Sequence, residues 1–355
     1  ITIRKNRVTA ESTQIDVKTA KAALFPSLSF STSQQVVNRP YQETSSRVSG
    51  SEIISSNSKT SYNGNYGLNA SWTIYNGSKR LKTLKQERLN NQVAELDVAT
   101  SENMIKESIA QIYIQILYAA ESVRVNENTL QVSIAQRDRG QELLNAGSIA
   151  KSDFAQLEAQ VSTDRYQLVT AQATLQDYKL QLKQLLELDG ENEMNVYLPK
   201  LSDENVLAPL PAKKDVYVSA LAIRPEIEAS KLNVEASELG IDIAKSSYFP
   251  TISLSAGIGT NHTSGSDFTF GEQVKNGWNN SIGLSVSVPI FNNRQTKSAV
   301  QKAKLQRETD MLSLLDEQKA LYKTIESLWL DANSAQQRYA AANEKLRSTQ
   351  ISYDL

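Results

Sequence analysis

The sequence predicts a mainly α-helical chain with a β-barrel portion: long coiled-coil hairpins plus four β-strands, internally duplicated. Three observations lead there. Residues 24–31, LFPSLSFS, and 248–255, YFPTISLS, each stop a helical pattern at a proline and start alternating serine or threonine with apolar residues. Long stretches without proline then carry apolar residues at heptad spacing. Finally, the two halves match when the chain is slid along itself, which is the signature of a repeat.

A slide of 224 places Ile3, Glu11, Ala20, Lys21, Phe25, Pro26, Ser29 and Ser31 on Ile227, Glu235, Ala244, Lys245, Phe249, Pro250, Ser253 and Ser255. A slide of 216 places Leu68, Ser71, Ile74 and Asn76 on Leu284, Ser287, Ile290 and Asn292. Each half runs helix, proline, strand, polar loop, strand, Asn-rich break, long helix. The predicted divisions are a first repeat over 1–188, an inter-repeat segment over 189–224, and a second repeat over 225–355 that stops short of its own hairpin tip. Ile1 falls inside a helical pattern, so a mature or trimmed chain is expected.

Strands are expected over 27–37, 62–75, 250–261 and 279–291, from period-2 patterning rich in β-branched and aromatic residues. Tyr66, Leu68, Ala70, Trp72 and Ile74 share one face, with Gly67, Asn69, Ser71 and Thr73 on the other. Ile252, Leu254, Ala256 and Ile258 oppose Ser253, Ser255, Gly257 and Gly259; Ile282, Leu284, Val286, Val288 and Ile290 oppose Ser281, Gly283, Ser285 and Ser287. The connections, about 38–61 and 261–279, are polar loops, and His262 is expected as a surface residue in one of them.

The helical seams read Ile105, Ile109, Ile112, Ile116, Ala119 and Val123, then Phe154, Leu157, Val161, Asp164, Leu168, Ala171, Leu175, Tyr178, Leu182 and Leu185. A third reads Met311, Leu314, Gln318, Leu321, Ile325, Leu328, Ala332, Ala335, Tyr339, Ala342 and Leu346. Residues 145–153, NAGSIAKSD, form the tip of an antiparallel hairpin: Gly147 supplies positive φ, and Ser152 or Asp153 caps the next helix. Arg224, Pro225 and Glu226 open the second repeat's helix with first-turn residues.

Composition narrows the function. Lys+Arg 38 against Asp+Glu 39 gives a net charge of −1, without bulk attraction to nucleic acid. Mean hydropathy is −0.41 and no apolar run reaches about 18 residues, which excludes a transmembrane helix but not membrane strands of roughly 9–11 residues. With no cysteine, one histidine and no Gly-rich phosphate loop, only Asp/Glu catalysis remains, and those carboxylates are scattered along helix faces; an enzyme is not expected, nor any cofactor or metal.

Four one-sided strands cannot close a barrel, and lipid does not tolerate open edges. Three chains would supply twelve strands, enough for a barrel with a water-filled interior, and their helices would form a tube beneath it. The expected lumen-facing residues are Ser29, Ser31, Asn69, Ser71, Thr73, Ser253, Ser255, Ser285 and Ser287. The expected lipid-facing ones are Leu28, Phe30, Leu68, Trp72, Ile74, Ile252, Leu254, Leu284, Val286 and Val288, with Pro26 and Pro250 at the helix-to-strand junctions. Trp72, Tyr66 and Tyr75 would join interfacial aromatic girdles. Lys79, Arg80, Lys82, Lys85 and Arg88, and Arg294, Lys297, Lys302, Lys304 and Arg307, oppose the dipole at two helix starts; they meet either anionic lipid head groups or plain solvent.

The duplicated FPxxS entrances, the LNASWTIYNGSKR exit, the LNAGSIAKSD tip and the AIRPEI helix start together resemble the TolC-type outer membrane efflux protein family over the whole chain. The resemblance implies a homotrimer with a twelve-stranded barrel in the outer membrane of a Gram-negative bacterium and a periplasmic α-helical barrel. It implies the exit duct of a tripartite efflux pump or type I secretion system, served by a periplasmic adaptor and, indirectly, an inner-membrane transporter. Outer membrane lipid is the further partner. Adaptor contact would fall on Gly147, Ser148, Ile149, Ala150, Ser152 and Asp153. The family's gate would lie near a second tip beyond Leu355. The transported substrate is not written in the sequence; three methionines and one histidine give no support for a copper or silver path. The competing reading is a periplasmic coiled-coil adaptor or scaffold, which would not need two strand pairs with apolar outer faces.

Overall fold

The computed structural model describes residues 1–41, 45–49, 52–56, 59–188, 195–197 and 206–354, with 45–49 and 52–56 described by their backbone. The elements are α1 (Thr2–Ala22), β1 (Ser27–Asn38), β2 (Ser45–Ser49), β3 (Glu52–Ser56), β4 (Thr60–Asn76), α2 (Lys79–Asn145) and α3 (Lys151–Leu185). Then follow α4 (Lys213–Ile223), α5 (Pro225–Ser246), β5 (Thr251–Thr263), α6 (Phe270–Asn276), β6 (Asn279–Ser287) and α7 (Gln295–Asp354). The chain is mainly helical with a small antiparallel sheet. Of the segment expected over 189–224, residues 189–194 and 198–205 lie outside the described residues, as do 42–44, 50–51 and 57–58 of the first polar loop.

One compact unit comprises Ile1–Val98 and Lys214–Glu326. Its sheet runs β1-β4-β5-β6, antiparallel throughout. Both helix-to-strand junctions are forced by proline, which lacks an N–H and disfavours helical φ/ψ in the residue before it. α1 tightens through Leu24 N–H to Lys21 O (3.1 Å) and Phe25 N–H to Ala22 O (3.0 Å) before Pro26; α5 does the same through Tyr248 to Lys245 (3.0 Å) and Phe249 to Ser246 (3.1 Å) before Pro250. The two strand-to-helix turns also share a backbone, with two consecutive left-handed residues each: Gly77 and Ser78 (φ 66° and 61°), then Asn293 and Arg294 (φ 49° and 66°).

The helices lie in the same order as their strands. Thr13 donates to Asn91 (3.1 Å) between α1 and α2, Gln86 to the Ala236 carbonyl (2.9 Å) between α2 and α5, and Arg307 pairs with Glu238 (2.6 Å) between α7 and α5. Small residues, Ala94, Ala229 and Ala236, let these axes approach, and Ile227 is fully buried. Pro225 at the first helical position and Glu226 and Glu228 in the first turn start α5 as the sequence indicates.

The second unit comprises Ala99–Lys213 and Ser327–Leu355. Its core is the hairpin seam: Ile116, Ala119, Val161, Asp164 and Leu182 are buried, and Gln160 donates to Asp164 (2.8 Å). The stretch 206–211, which starts in a turn at Val206 and Leu207, is held along α7 from Ser327 onward. The Gln336 amide donates to the Val206 and Ala208 carbonyls (2.9 and 2.8 Å), and Trp329 Nε1 donates to Pro211 O (3.1 Å).

Several expectations need correction. β6 ends at Ser287 rather than 291, because Pro289 cannot continue the ladder; Val288 and Ile290 lie beyond the strand, Ile290 being 95% exposed. The first polar loop contains the β2–β3 hairpin and the second contains α6. In the α7 seam Asp310 is half-buried where Met311 was expected, and Leu328 is exposed.

Candidate functional site

Pairing across four strands produces a sheet with two chemically opposite faces. Rows of directly opposed residues read Ser27–Ser71–Ser255–Gly283, Ser29–Asn69–Gly257–Ser281 and Ser31–Gly67–Gly259–Asn279. Thr73–Ser253–Ser285 and Thr251–Ser287 complete this face. The alternate rows read Leu28–Ala70–Ala256–Ile282, Phe30–Leu68–Ile258–Asn280, Trp72–Leu254–Leu284 and Ile252–Val286. With side chains alternating at period 2, the residues expected on the polar face fall in the first set of rows, and those expected on the apolar face fall in the alternate rows within the strands, apart from Ile74.

The polar face is knitted together by its own short side chains. Ser29 donates to Asn69 O (3.4 Å), Asn69 Nδ2 to Ser31 Oγ (3.3 Å), Asn65 Nδ2 to Ser33 Oγ (3.3 Å), and Ser255 to Gly283 O (3.3 Å). Apolar-face side chains stand uncovered in the chain, including Leu28 (70% exposed) and Leu284 (65%). A bulge between Thr73 and Tyr75 sets Tyr75 opposite Ile252, so Ile74 is the extra residue rather than a ladder partner. Trp72 Nε1 donates to Leu24 O (2.8 Å), tying β4 to the end of α1.

His262 departs from its expected place in a loop. It lies in β5 opposite Gly64, its ring stacked on Tyr66 (5.9 Å between centroids) and edge-on to Phe270 of α6 (5.1 Å). The ring fills the space that a side chain at position 64 would need, since a Cβ there would fall 2.2 Å from it. α6 is fixed by a capping box in which the Thr269 amide donates to Glu272 Oε2 (2.8 Å).

The hairpin tip is built from two complementary helix ends. Gly147 has φ 71°; its N–H bonds Leu144 O (3.0 Å) and the Ser148 N–H bonds Leu143 O (2.8 Å), the Schellman pair. Neither Ser152 nor Asp153 is the cap of α3. Ala150 holds that position, and Asp153, in the first turn, accepts from the Ala150 amide (3.3 Å) and the Ser152 hydroxyl (3.4 Å). Gly147, Ser148, Ala150, Ser152 and Asp153 are exposed and Ile149 is half-buried.

Residues 2–187 and 216–355 match the outer membrane efflux protein family. The outer membrane efflux protein BepC of Brucella suis is 26% identical over 71% of this chain and 53% of its own length. The outer membrane protein TolC of Escherichia coli is 24% identical over 81% and 58%. The crystal structure of the outer membrane protein VceC from Vibrio cholerae superposes with a TM-score of 0.76 at 17% identity, covering 99% of this chain and 79% of that one. The chain thus spans little more than half the length of the curated relatives it matches.

Proposed function

The chain belongs to the outer membrane efflux protein family, and from that premise we propose that it builds the exit duct of a tripartite efflux pump or type I secretion system. Three copies close a twelve-stranded barrel in the outer membrane of a Gram-negative bacterium, and their helices extend into the periplasm as an α-helical barrel. Substrate passes down its gradient through the duct, with no chemistry performed by the protein.

The observation that carries this reading is the two-faced sheet with free edges. Serine, threonine, asparagine and glycine rows suit a wet lumen, and Leu28, Phe30, Leu68, Trp72, Leu254 and Leu284 suit hydrocarbon. β1 and β6 are the sheet's outer strands, and in lipid each needs a partner. The helices at the same two sides carry uncovered apolar residues seven apart: Val8 and Ile15 on α1, with Ile1 at its N-cap, and Leu305 and Leu312 on α7. Joining the α7 side of one protomer to the α1 side of the next is a head-to-tail contact that closes as a ring. The divisions 1–188, 189–224 and 225–355 are read as repeat, connector and repeat. The equal backbone at 77–78 and 293–294 and the two proline junctions support that reading.

The tip residues Gly147, Ser148, Ile149, Ala150, Ser152 and Asp153 are the adaptor's docking point. The Schellman turn holds them in one fixed shape with all but Ile149 exposed, and Asp153 offers a carboxylate.

Mass and conductance test the proposal. Detergent-purified protein should be a trimer that forms ion-conducting pores in planar bilayers. A monodisperse monomer that needs no detergent would sink it. For the tip, Asp153→Lys and Ser148→Trp should abolish drug resistance or secretion while leaving trimer and conductance intact; normal export would remove the tip from the docking surface.

A further inference from the structure

Resting on the channel reading above, we propose that basic side chains at the foot of the sheet form a belt that binds the phosphate head groups of anionic glycerophospholipids. The helix layer of the first unit has two unlike faces. On one, a groove of about 450 Å³ is lined by amides, hydroxyls and small residues, among them Gln86, Asn90, Asn233, Ser237 and Gln306, with one carboxylate from Asp310. Successive helical residues are turned by about 100°. Lys85 and Arg88 therefore lie on the side of α2 turned away from Gln86 and Asn90, and Lys297 and Lys304 on the side of α7 turned away from Gln306. Lys245 joins Lys304 and Arg307 in a second groove between α5 and α7, which Glu308 also lines.

The charge there is largely uncompensated. Glu238 pairs with Arg307 (2.6 Å), and Asp242 pairs with Lys245 (3.2 Å) and Lys82 (3.9 Å). Lys85, Arg88, Arg294, Lys297 and Lys304 are exposed and make no ion pair among the described residues. They fall within the first three turns of α2 and α7 or, for Arg294, just before α7; Lys297 is in the first turn, where positive charge opposes the helix dipole and a bound anion relieves it.

Position selects the anion. The belt begins just past the ends of β4 and β6, below the apolar sheet face. Between the two stand exposed aromatic rings: Tyr75, Tyr248, Phe249 and Phe291. Apolar surface, then aromatic rings, then cations is the order of a bilayer read from hydrocarbon to phosphate. A lipid with acyl chains and an anionic head group meets all three; a free phosphate meets only the last.

The experiment embeds the purified protein in nanodiscs of equal phosphatidylglycerol and phosphatidylcholine and counts retained lipids by native mass spectrometry. Phosphatidylglycerol should be preferred at low salt, by up to about fivefold per contributing cation. The preference should collapse in about 0.5 M salt, where screening acts over a few ångströms. Combined Lys85→Gln, Arg88→Gln, Lys297→Gln and Lys304→Gln should bring the two lipids to parity, and Lys304→Gln alone should lower the ratio measurably. Lys323→Gln with Lys345→Gln, further along α7, should leave it unchanged. Equal retention by a trimeric, conducting wild type overturns the belt while leaving the channel standing, as does a preference indifferent to salt and to these variants. A wild type that neither trimerises nor conducts in any bilayer overturns both.

Discussion

Replacing Gly77 with alanine adds one carbon where both backbone and space refuse it. Its φ is 66°, and a Cβ there would fall 2.7 Å from the Ser246 carbonyl oxygen and 3.0 Å from Phe249 Cβ. Neither neighbour is the free end of a side chain. Ser246 is buried, and its one hydroxyl proton is shared between Gly77 O and Asp242 O (2.9 Å each). Left-handed backbone costs an alanine about 1–2 kcal/mol, and forced overpacking about 1–3 kcal/mol more. Gly77→Ala should therefore destabilise by about 2–5 kcal/mol. Gly147 separates the two causes: its φ is 71°, yet nothing lies within 4 Å of the added carbon. Gly147→Ala should lose only the backbone part, about 1–2 kcal/mol. Because the two glycines belong to different compact units, the fitting assay is amide hydrogen exchange at 77–84 and 146–154, which reads local opening free energies. If Gly77→Ala costs no more than Gly147→Ala, the steric account of the strand-to-helix turn is wrong.

Other outcomes follow from single contacts. Ile116→Ala and Ile227→Ala, at two large, fully buried side chains, should each cost about 2–5 kcal/mol, seen as lower melting temperatures by circular dichroism. Trp329→Phe keeps the ring but loses the bond to Pro211 O, and Gln336→Ala strips two carbonyls of their donor; each should speed proteolysis across 206–212 about fivefold, the equivalent of about 1 kcal/mol, while cleavage elsewhere stays constant. The Thr269 backbone amide, and next its hydroxyl, hold the Glu272 carboxyl below its ordinary range. A depressed carboxyl stabilises above its unfolded pKa, and that contribution disappears as pH falls through the lower folded value. Exchange at 270–276 should thus quicken in acid beyond the intrinsic pH effect, and Glu272→Gln should remove that excess.

What the sequence disclosed depended on periodicity and punctuation. The strands were legible because serine alternates with leucine, phenylalanine or isoleucine, and the junctions because Pro26 and Pro250 stop helices. The seams through Ile116, Ala119, Val161 and Leu182 were legible because coiled-coil packing imposes a strict spacing. Events set by partners distant in sequence were not. His262 sits among polar residues, and only the pairing of β5 with β4 brings Tyr66 and Gly64 to it. The hold of Trp329 and Gln336 on 206–211 joins residues more than a hundred apart, with no local mark. α6 did carry a sign: Thr269 and Glu272 stand in the T-x-x-E spacing of a capping box, hidden in a stretch read as loop. The end of β6 was signalled too, by Pro289, against an apolar alternation that continued past it.

The row pattern of the sheet also acts as an error check on folding. Slip any one strand by a single residue and each of its serines lands among leucines and isoleucines, while its apolar side chains cross to the polar face. Such a slip strands hydroxyls without partners on one side and wets hydrocarbon on the other, along the whole length of the strand. A two-residue slip restores the polarity but misplaces the bulge at Thr73–Tyr75 and moves Trp72 away from Leu24 O. Polarity thus rejects odd misalignments in every strand, and the bulge and the anchored tryptophan reject even ones between β4 and its neighbours β1 and β5.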